Sequence, residues 1–276
     1  MCDFIDLLLF GMKGRTSRRR KKVKITKSEV TDREIPWQSN LIKHSLSQGM
    51  KIKGIAPKQF ESTGRGMAAS RCIEQNSLLI SVPKILLLTL DSIFYSDIGH
   101  VLQHSPYKFT GKELFALFLL QEVSKREQSI YYYYISSLPK TYTTLDYLHR
   151  EELVCLPKDL RSRASECFRE LECLMAKSKM LEKCCCSRQC NTDMHFLKEI
   201  RLDNLKWAVN AVNSRSVYFN SQLLNHQCSR NVEDADFVMV PVLDMFNHTA
   251  NAKVSIFLIG DMKIVDSSKP CFLISI

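Results

Sequence analysis

Residues 238–249 hold the side chains of this sequence that are best placed to do chemistry. The apolar run from Val238 to Leu243 predicts a buried strand, with Pro241 at a bulge or sheet edge. Four polar residues follow closely: Asp244, Asn247, His248 and Thr249. Burying an aspartate, an asparagine and a histidine together is costly unless each is hydrogen-bonded. On this segment alone two interpretations stay open, a polar turn whose side chains bond their own backbone or a ligand site.

Two upstream segments hold further residues that a ligand site could use. In residues 62–67, Gly64 and Gly66 flank Arg65 at a predicted bend, where a ligand could approach the backbone because glycine has no Cβ. In residues 213–219, Arg215 offers a permanently charged, fork-shaped side chain that suits a carboxylate. Taken singly, a plain hairpin turn and a surface charge explain these residues better than a ligand site does.

Taken in this order, the three segments resemble the cofactor contacts of the SET-domain methyltransferases. The long helical stretch between them is similar to the insert of the Rubisco-methyltransferase-like branch, and the resemblance covers roughly residues 13–266. It implies a binding site for S-adenosyl-L-methionine made by seven residues: Gly64, Arg65, Gly66, Arg215, Asp244, Asn247 and His248.

The resemblance also implies a role for each part of that site. The backbone at Gly64–Gly66 approaches the methionine end of the cofactor, and Arg215 pairs with its carboxylate. Asn247 and His248 hydrogen-bond the amino group and the adenine, while Asp244 braces the segment. No catalytic residue is assigned, because the family's substrate-orienting tyrosine falls beyond Ile276.

The predicted fold class is α+β, a SET domain of short β-sheets interrupted by a large helical insert and incomplete at its C-terminal end. Short apolar stretches punctuated by Gly, Asn and Pro predict strands over 53–60, 66–70 and 77–82. A hairpin is predicted over 252–258 and 262–265, turning at Gly260-Asp261. The predicted division is a basic disordered tail over 1–34, SET-domain parts over 35–105 and 231–276, and the helical insert over 106–230.

Hydrophobic spacing predicts the helices in more detail. A short helix is expected over 37–46, ended by Gly49. A second is expected over 111–128, with Val123 on its apolar face and Glu122 off that face. Tyr131 to Tyr134 is interpreted as core packing rather than as a ligand cage. Further helices are predicted over 153–181 and 193–212, separated by a cysteine-rich loop.

Composition restricts the class of protein. With 276 residues, 45% of them hydrophobic, the chain can bury a large core. No apolar run approaches the length that spans a bilayer, so we expect no membrane association and an intracellular protein. An odd count of 11 cysteines favours reduced thiols over a disulfide framework. A zinc site at Cys184, Cys185, Cys186, Cys190 and His195 lacks a second well-separated ligand pair, so a surface loop without metal is preferred.

The positive charge is concentrated at the start of the chain. Residues 1–27 hold nine basic and two acidic side chains, a net charge of +7 out of the +10 of the whole chain. Such a segment predicts a disordered tail that acts as a nuclear localisation signal, a nucleic-acid patch or a simple solvating tail. Because its basic run, residues 13–27, contains no aromatic residue to stack on bases, we expect only weak nucleic-acid binding there. The expected location is the nucleus and the cytoplasm.

Two functions from different classes follow from these observations. The first is an S-adenosylmethionine-dependent methyltransferase of protein lysine, with histone tails as the expected partner and a histidine or another amine left open as acceptor. The alternative is a catalytically silent SET fragment that binds proteins through its helical insert. Because the tyrosine and covering strand of the family fall beyond Ile276, we expect this form to transfer methyl groups poorly.

Overall fold

A computed structural model describes residues 36–61, 64–74, 77–103, 105–187, 194–218, 237–247, 255–259 and 271–275. The predicted basic tail and the second strand of the predicted C-terminal hairpin, 262–265, lie outside these ranges. Helices and short antiparallel strands are mixed along the chain, which confirms the predicted α+β class.

The first elements follow the sequence prediction closely. Helix α1 runs over Pro36–Ser47, and Gly49 ends it with a positive φ of 94°. Strands β1 (Lys51–Ile52), β2 (Ile55–Phe60), β3 (Gly64–Ala69) and β4 (Leu78–Pro83) come next. Strands β2 and β3 form an antiparallel hairpin in which Lys58 lies opposite Gly66.

Three small sheets are present in the described part of the chain. One holds β2 and β3, and a second pairs β5 (Ser216–Tyr218) with β6 (Phe237–Met239). The third has the order β1-β4-β8-β7, with β7 over Ser255–Ile259 and β8 over Cys271–Ser275. All pairings are antiparallel. Strand β8 thus lies inside this sheet, between β4 and β7.

Most of the described residues between β4 and β5 are helical. The helices are α2 (Leu90–Phe94), α3 (Asp97–Gln103), α4 (Gly111–Lys125), α5 (Tyr132–Ser137), α6 (Arg150–Cys155), α7 (Lys158–Ser187), α8 (His195–Lys198) and α9 (Leu202–Arg215). None of the described helices is both long and apolar enough to cross a membrane.

Helix α4 is the central helix of the core, and it corrects one prediction. Phe115, Ala116 and Leu119 are fully buried as well as the predicted face, so the helix is enclosed on most sides. Val123, predicted to be buried, is 43% exposed, whereas Glu122 is buried. The Glu122 carboxylate tolerates burial because it accepts a hydrogen bond from Ser129 Oγ and another from Lys125 Nζ at 2.8 Å.

The cysteine-rich segment and the following helix also differ from prediction. Helix α7 continues through Ser187, so Cys184, Cys185 and Cys186 belong to a helix rather than a loop. The helix expected over 193–212 is interrupted, because Arg201 is extended and a new helix begins after it. The Asn204 side chain fixes that start by accepting a hydrogen bond from the Arg201 backbone N–H at 2.8 Å. Helix α9 then ends at Arg215, close to the predicted end at Val212.

Candidate functional site

The polar segment begins with a turn rather than with the end of a long strand. Strand β6 stops at Met239, and a turn at Pro241–Val242 leads into a 3-10 helix over Leu243–Met245. The strand predicted to reach Leu243 is therefore too long by four residues, although every residue from Val238 to Leu243 is buried. Val242 has a φ of 72°, which is costly for a β-branched residue. This turn carries Asp244 into the interior.

Asp244 is the centre of a buried polar cluster. Its side chain is only 6% exposed. The Tyr134 hydroxyl donates a hydrogen bond to Asp244 Oδ2 at 3.3 Å, and Arg215 Nη1 lies 3.9 Å from the same oxygen. Asp244 Oδ1 is buried without a hydrogen-bond partner among the described residues. One carboxylate oxygen is thus held by the protein while the other remains able to accept a bond.

Arg215, the last residue of α9, extends its side chain to this cluster. A cation is favourable there, because the C-terminal carbonyls of a helix carry partial negative charge. Its Nη1 donates to the backbone carbonyl of Asp244 at 2.7 Å. Its Nε is buried and has no hydrogen-bond partner in the described part of the chain. The guanidinium therefore fixes the 3-10 helix and keeps one donor for another group.

Arg65 approaches the same cluster from β3. Its Nη1 donates to the Ser137 carbonyl, at the end of α5, at 2.9 Å. The pKa of Arg65 is lowered, first by burial and then by the nearby charge of Arg215, while Asp244 acts in the opposite direction. Two arginines from distant parts of the sequence thus share one carboxylate.

Gly66 and Asn247 are brought into direct contact. A Cβ built on Gly66 would lie 2.5 Å from Asn247 Nδ2 and 2.9 Å from Phe60 Cε2, so the asparagine occupies the space that a larger residue would need. Gly64 opens β3 with a φ of 73°, and a Cβ there would meet only Gln59 Nε2 at 4.0 Å. The prediction that both glycines flank a bend is thus corrected, since both belong to strand β3.

Burial controls the ionisation of the cluster. It raises the pKa of Asp244 from 3.8 to about 6, against the lowering effects of Arg215, the Tyr134 hydrogen bond and Arg65. The pKa of Tyr134 is raised well above 10, first by burial and then by the charge of Asp244. Tyr134 is therefore a protonated donor at neutral pH, and Asp244 is mostly an acceptor.

The predicted site residues thus have different outcomes. Arg65, Arg215 and Asp244 meet in one cluster, and Gly66 meets Asn247 beside it. Gly64 lies two residues from that contact, and His248 lies outside the described residues. The part of the chain that is described contains no group of three or more His, Cys, Asp or Glu placed to hold a metal ion, and Cys190 and most of the cysteine cluster's side chains are outside it.

Tyr134 is the site residue that the sequence did not reveal. The run Tyr131–Tyr134 predicts core packing, and Tyr134 is indeed only 2% exposed. Its partner, however, is 110 residues away in the sequence. The only available indication was that a buried tyrosine hydroxyl usually needs a hydrogen-bond partner.

Known proteins resemble this chain in both sequence and fold. The chain is 28% identical to human SET domain-containing protein 4 over 253 residues, which cover 88% of this chain and 54% of that protein. It is 25% identical to mouse actin-histidine N-methyltransferase over 231 residues, covering 83% of this chain and 37% of that one. The SET domain of Rubisco LSMT, solved with lysine and AdoHcy, superposes with a TM-score of 0.68 at 21% identity, covering 87% and 50% of the two chains.

The chain is similar in sequence to the first two proteins and similar in fold to the SET domain of the third. The matches confirm the resemblance to SET domain-containing protein 4 and to the Rubisco-methyltransferase-like branch. No protein-family model matches the chain. The chain spans about half the length of the human relative.

Proposed function

We propose that this chain is the SET-domain portion of an S-adenosylmethionine-dependent protein methyltransferase. The observation that carries the proposal is the partly buried cluster of Arg215, Asp244 and Arg65 next to the Gly66–Asn247 contact. Three segments far apart in the sequence supply it, and they are the segments whose order resembles the cofactor contacts of the family.

Two buried polar atoms without a hydrogen-bond partner among the described residues suit a ligand that carries both a positive and a negative group. Arg215 Nε is a buried donor and Asp244 Oδ1 a buried acceptor, and neither has a hydrogen-bond partner among the described residues. Leaving such groups unpaired costs about 1–3 kcal/mol each, so a ligand that pairs them recovers that free energy on binding. The methionine end of S-adenosylmethionine carries a carboxylate and an ammonium group, which have the complementary polarity.

The glycine strand and Asn247 would form the neighbouring part of the site. Because Gly66 has no Cβ, the Asn247 amide can lie directly against β3. An amide offers both donors and an acceptor in one side chain, which suits the amino group or the adenine of the cofactor.

When bound, the cofactor supplies an electrophilic methyl group on a sulfonium. In-line displacement needs no covalent help from the protein, so the residues described here contribute by binding and orienting. Arg215 and Asn247 would fix the cofactor, and Asp244 would hold the guanidinium of Arg215 through the backbone and side-chain contacts described above.

We propose a protein lysine as the methyl acceptor, with histone tails as the first substrates to examine. The structure of Rubisco LSMT with bound lysine supports an amine acceptor by analogy. A histidine acceptor is the second candidate, because the mouse relative is named for methylation of actin histidine.

Cofactor binding is the direct test. Isothermal titration of S-adenosylmethionine into the wild-type chain should show binding, and Arg215→Ala and Asn247→Ala should each weaken it by about 1.5–3 kcal/mol, since each removes a polar partner from a partly desolvated ligand. Arg163→Ala is the matched control, because Arg163 is exposed on α7 and pairs there with Glu166. Equal affinity in all four proteins would show that these positions are not the cofactor site.

A labelled-methyl assay then separates an enzyme from a silent binding module. The acceptors should include histones, actin, free peptides with a lysine and peptides with a histidine. Label on a lysine or a histidine identifies the acceptor. Cofactor binding without transfer to any acceptor would favour the silent module.

A further inference from the structure

Helix α5 touches the candidate site at two points. Ser137, its last residue, accepts a hydrogen bond from Arg65 Nη1 at 2.9 Å. Tyr134, in the middle of the helix, donates to Asp244 Oδ2 at 3.3 Å. One short helix therefore connects β3 with the 3-10 helix that carries Asp244, although no residue of α5 was expected to take part.

The groups that face Asp244 come from several different elements. Arg65 lies on β3, Tyr134 on α5 and Arg215 at the end of α9, and each affects the ionisation of the carboxyl group. The pKa of the Tyr142 phenol, in the segment after α5, is also affected by the charges of Arg215 and Asp244. Tyr134 donates a hydrogen bond to Asp244 Oδ2 at 3.3 Å, whereas Arg215 Nη1 lies 3.9 Å from the same oxygen. The charges of Arg215 and Arg65 also favour the ionised carboxylate.

We infer that Tyr134 is a positioning residue, whose buried hydroxyl holds the Asp244 carboxylate in its ionised form and in the orientation that leaves Oδ1 available to the cofactor. The inference rests on the proposed cofactor site. It differs from a packing role because it assigns the effect to one hydroxyl hydrogen rather than to the aromatic ring.

Removing that hydroxyl has a definite consequence for proton binding. The hydrogen bond favours the charged carboxylate, so Tyr134→Phe should raise the pKa of Asp244 beyond its already raised value. The carboxyl group would then be partly protonated near neutral pH. Cofactor affinity should decline at a higher pH than in the wild type, and the two proteins should agree at alkaline pH.

Tyr131→Phe provides a matched control. Tyr131 is also buried, and its hydroxyl donates to a carbonyl, that of Leu87, at 3.4 Å. Both variants lose one buried tyrosine hydroxyl and keep the ring, but only Tyr134 contacts Asp244. A general loss of packing or stability would therefore appear in both variants.

The experiment measures S-adenosylmethionine affinity between pH 5 and 8.5 for wild type, Tyr134→Phe, Tyr131→Phe, Asp244→Asn and the Tyr134→Phe/Asp244→Asn double variant. We expect the midpoint of the decline to move up by about 1 pH unit in Tyr134→Phe only, since a hydrogen bond to a charged group shifts a pKa by that order. Asp244→Asn should lose this titration, and adding Tyr134→Phe to it should change nothing further.

A second measurement keeps this outcome distinct from the proposed function. Carbon-13 NMR of the Asp244 carboxyl reports its titration with no cofactor present, so it decides the role of Tyr134 even if the wild type binds no S-adenosylmethionine. If Tyr134→Phe fails to fold, site-specific 3-fluorotyrosine at 134, a stronger donor, should move the Asp244 midpoint down instead. An Asp244 titration that none of these changes moves would overturn the inference.

Discussion

At the residue scale, the candidate site holds an ionisable carboxyl group in the protein interior, where burial disfavours its charged form. Asp244 is nearly completely buried and its second oxygen has no protein partner in the described ranges. Arg215, Arg65 and Tyr134 only partly offset the cost of burying the ionised carboxylate, because the pKa of Asp244 still rises to about 6. Groups whose pKa is strongly shifted, at a cost to the stability of the fold, are typical of binding and catalytic sites.

We therefore expect Asp244→Asn to stabilise the protein at neutral and alkaline pH. The folded-state pKa of about 6 lies above the ordinary value of 3.8, so the folded protein binds this proton more tightly than the unfolded chain. Stability consequently falls as pH rises between about 4 and 6, by on the order of 3 kcal/mol for a shift of this size. The neutral amide avoids that loss, so urea unfolding should give the variant an advantage on the order of 1–3 kcal/mol at pH 7.5 that shrinks toward pH 4.

Asp203→Asn is the control for that experiment, because its carboxylate is 95% exposed on α9. It should leave the dependence of unfolding on pH unchanged. A less stable Asp244→Asn at pH 7.5 would mean that the arginines outweigh the cost of burial.

The two glycines of β3 should respond differently to alanine. Gly66→Ala would push the Asn247 amide away, since the new Cβ would lie 2.5 Å from Nδ2, so we expect a loss of cofactor affinity on the order of tenfold or more. Gly64→Ala makes only an ordinary contact with Gln59 Nε2 at 4.0 Å but forces a positive φ, so it should cost about 1–2 kcal/mol of stability and lower cofactor affinity less than Gly66→Ala does. Calorimetric titration and urea unfolding of both variants provide the comparison, and equal affinity losses would contradict the assignment of Asn247.

At the element scale, the Pro241–Val242 turn decides where Asp244 goes. The turn ends β6 and starts the 3-10 helix, and Val242 adopts a left-handed φ although it is β-branched and fully buried. Non-glycine residues pay roughly 1–2 kcal/mol for that conformation. The packing of the Val242 side chain and the contacts of Asp244 with Arg215 are the features that hold the strained turn in place.

Substitutions at Val242 and Val240 should reveal this strain. Both side chains are completely buried, but Val240 is not among the described residues with positive φ. At Val242 we expect Gly to be more stable than Ala by about 1 kcal/mol, because glycine adopts a positive φ without a steric penalty. At Val240 the order should reverse, with Ala more stable by about 0.5–1 kcal/mol. The free energies of unfolding of the four variants test this, and the same order at both positions would exclude a strained turn.

The elements with strong local patterns were predictable, whereas the contacts between them were not. Hydrophobic spacing located α1 and α4, with Gly49 as the stop after α1, and short apolar stretches punctuated by Gly, Asn and Pro located β2, β3 and β4. The left-handed Val242 has no sequence signature, because a valine carries no preference for that region. The Tyr134–Asp244 bond depends on how α5 packs, which the tyrosine run alone does not specify.

At the scale of the whole molecule, the site depends on residues from most of the described chain. Arg65, Tyr134, Arg215 and Asp244 span 180 positions of the sequence, and each is carried by a different element. The ordered trio of segments was readable because family resemblance preserves sequence order. The distances between these segments, and the carboxylate that they share, could be determined only from the folded structure.

Charge is distributed very unevenly over the same molecule. Residues 1–27 account for +7 of the net +10, so the remaining 249 residues carry only +3. A uniformly basic body would bind polyanions through its whole surface, whereas here the attraction is concentrated before α1, which begins at Pro36. We propose that this segment directs part of the protein to the nucleus.

Deleting residues 13–27 should therefore disperse a nuclear pool into the cytoplasm without unfolding the rest of the chain. The deletion removes all nine basic residues of the segment and ends before the first described helix, so it breaks no described contact. Fluorescence microscopy of tagged wild type and deletion measures the distribution, while urea unfolding and cofactor titration of the purified proteins should agree. A full-length control that replaces Arg18, Arg19, Arg20, Lys21 and Lys22 with glutamine keeps the length and removes charge alone. Loss of nuclear accumulation in both variants would assign the effect to charge, and an unchanged distribution in both would leave the tail as a solvating segment.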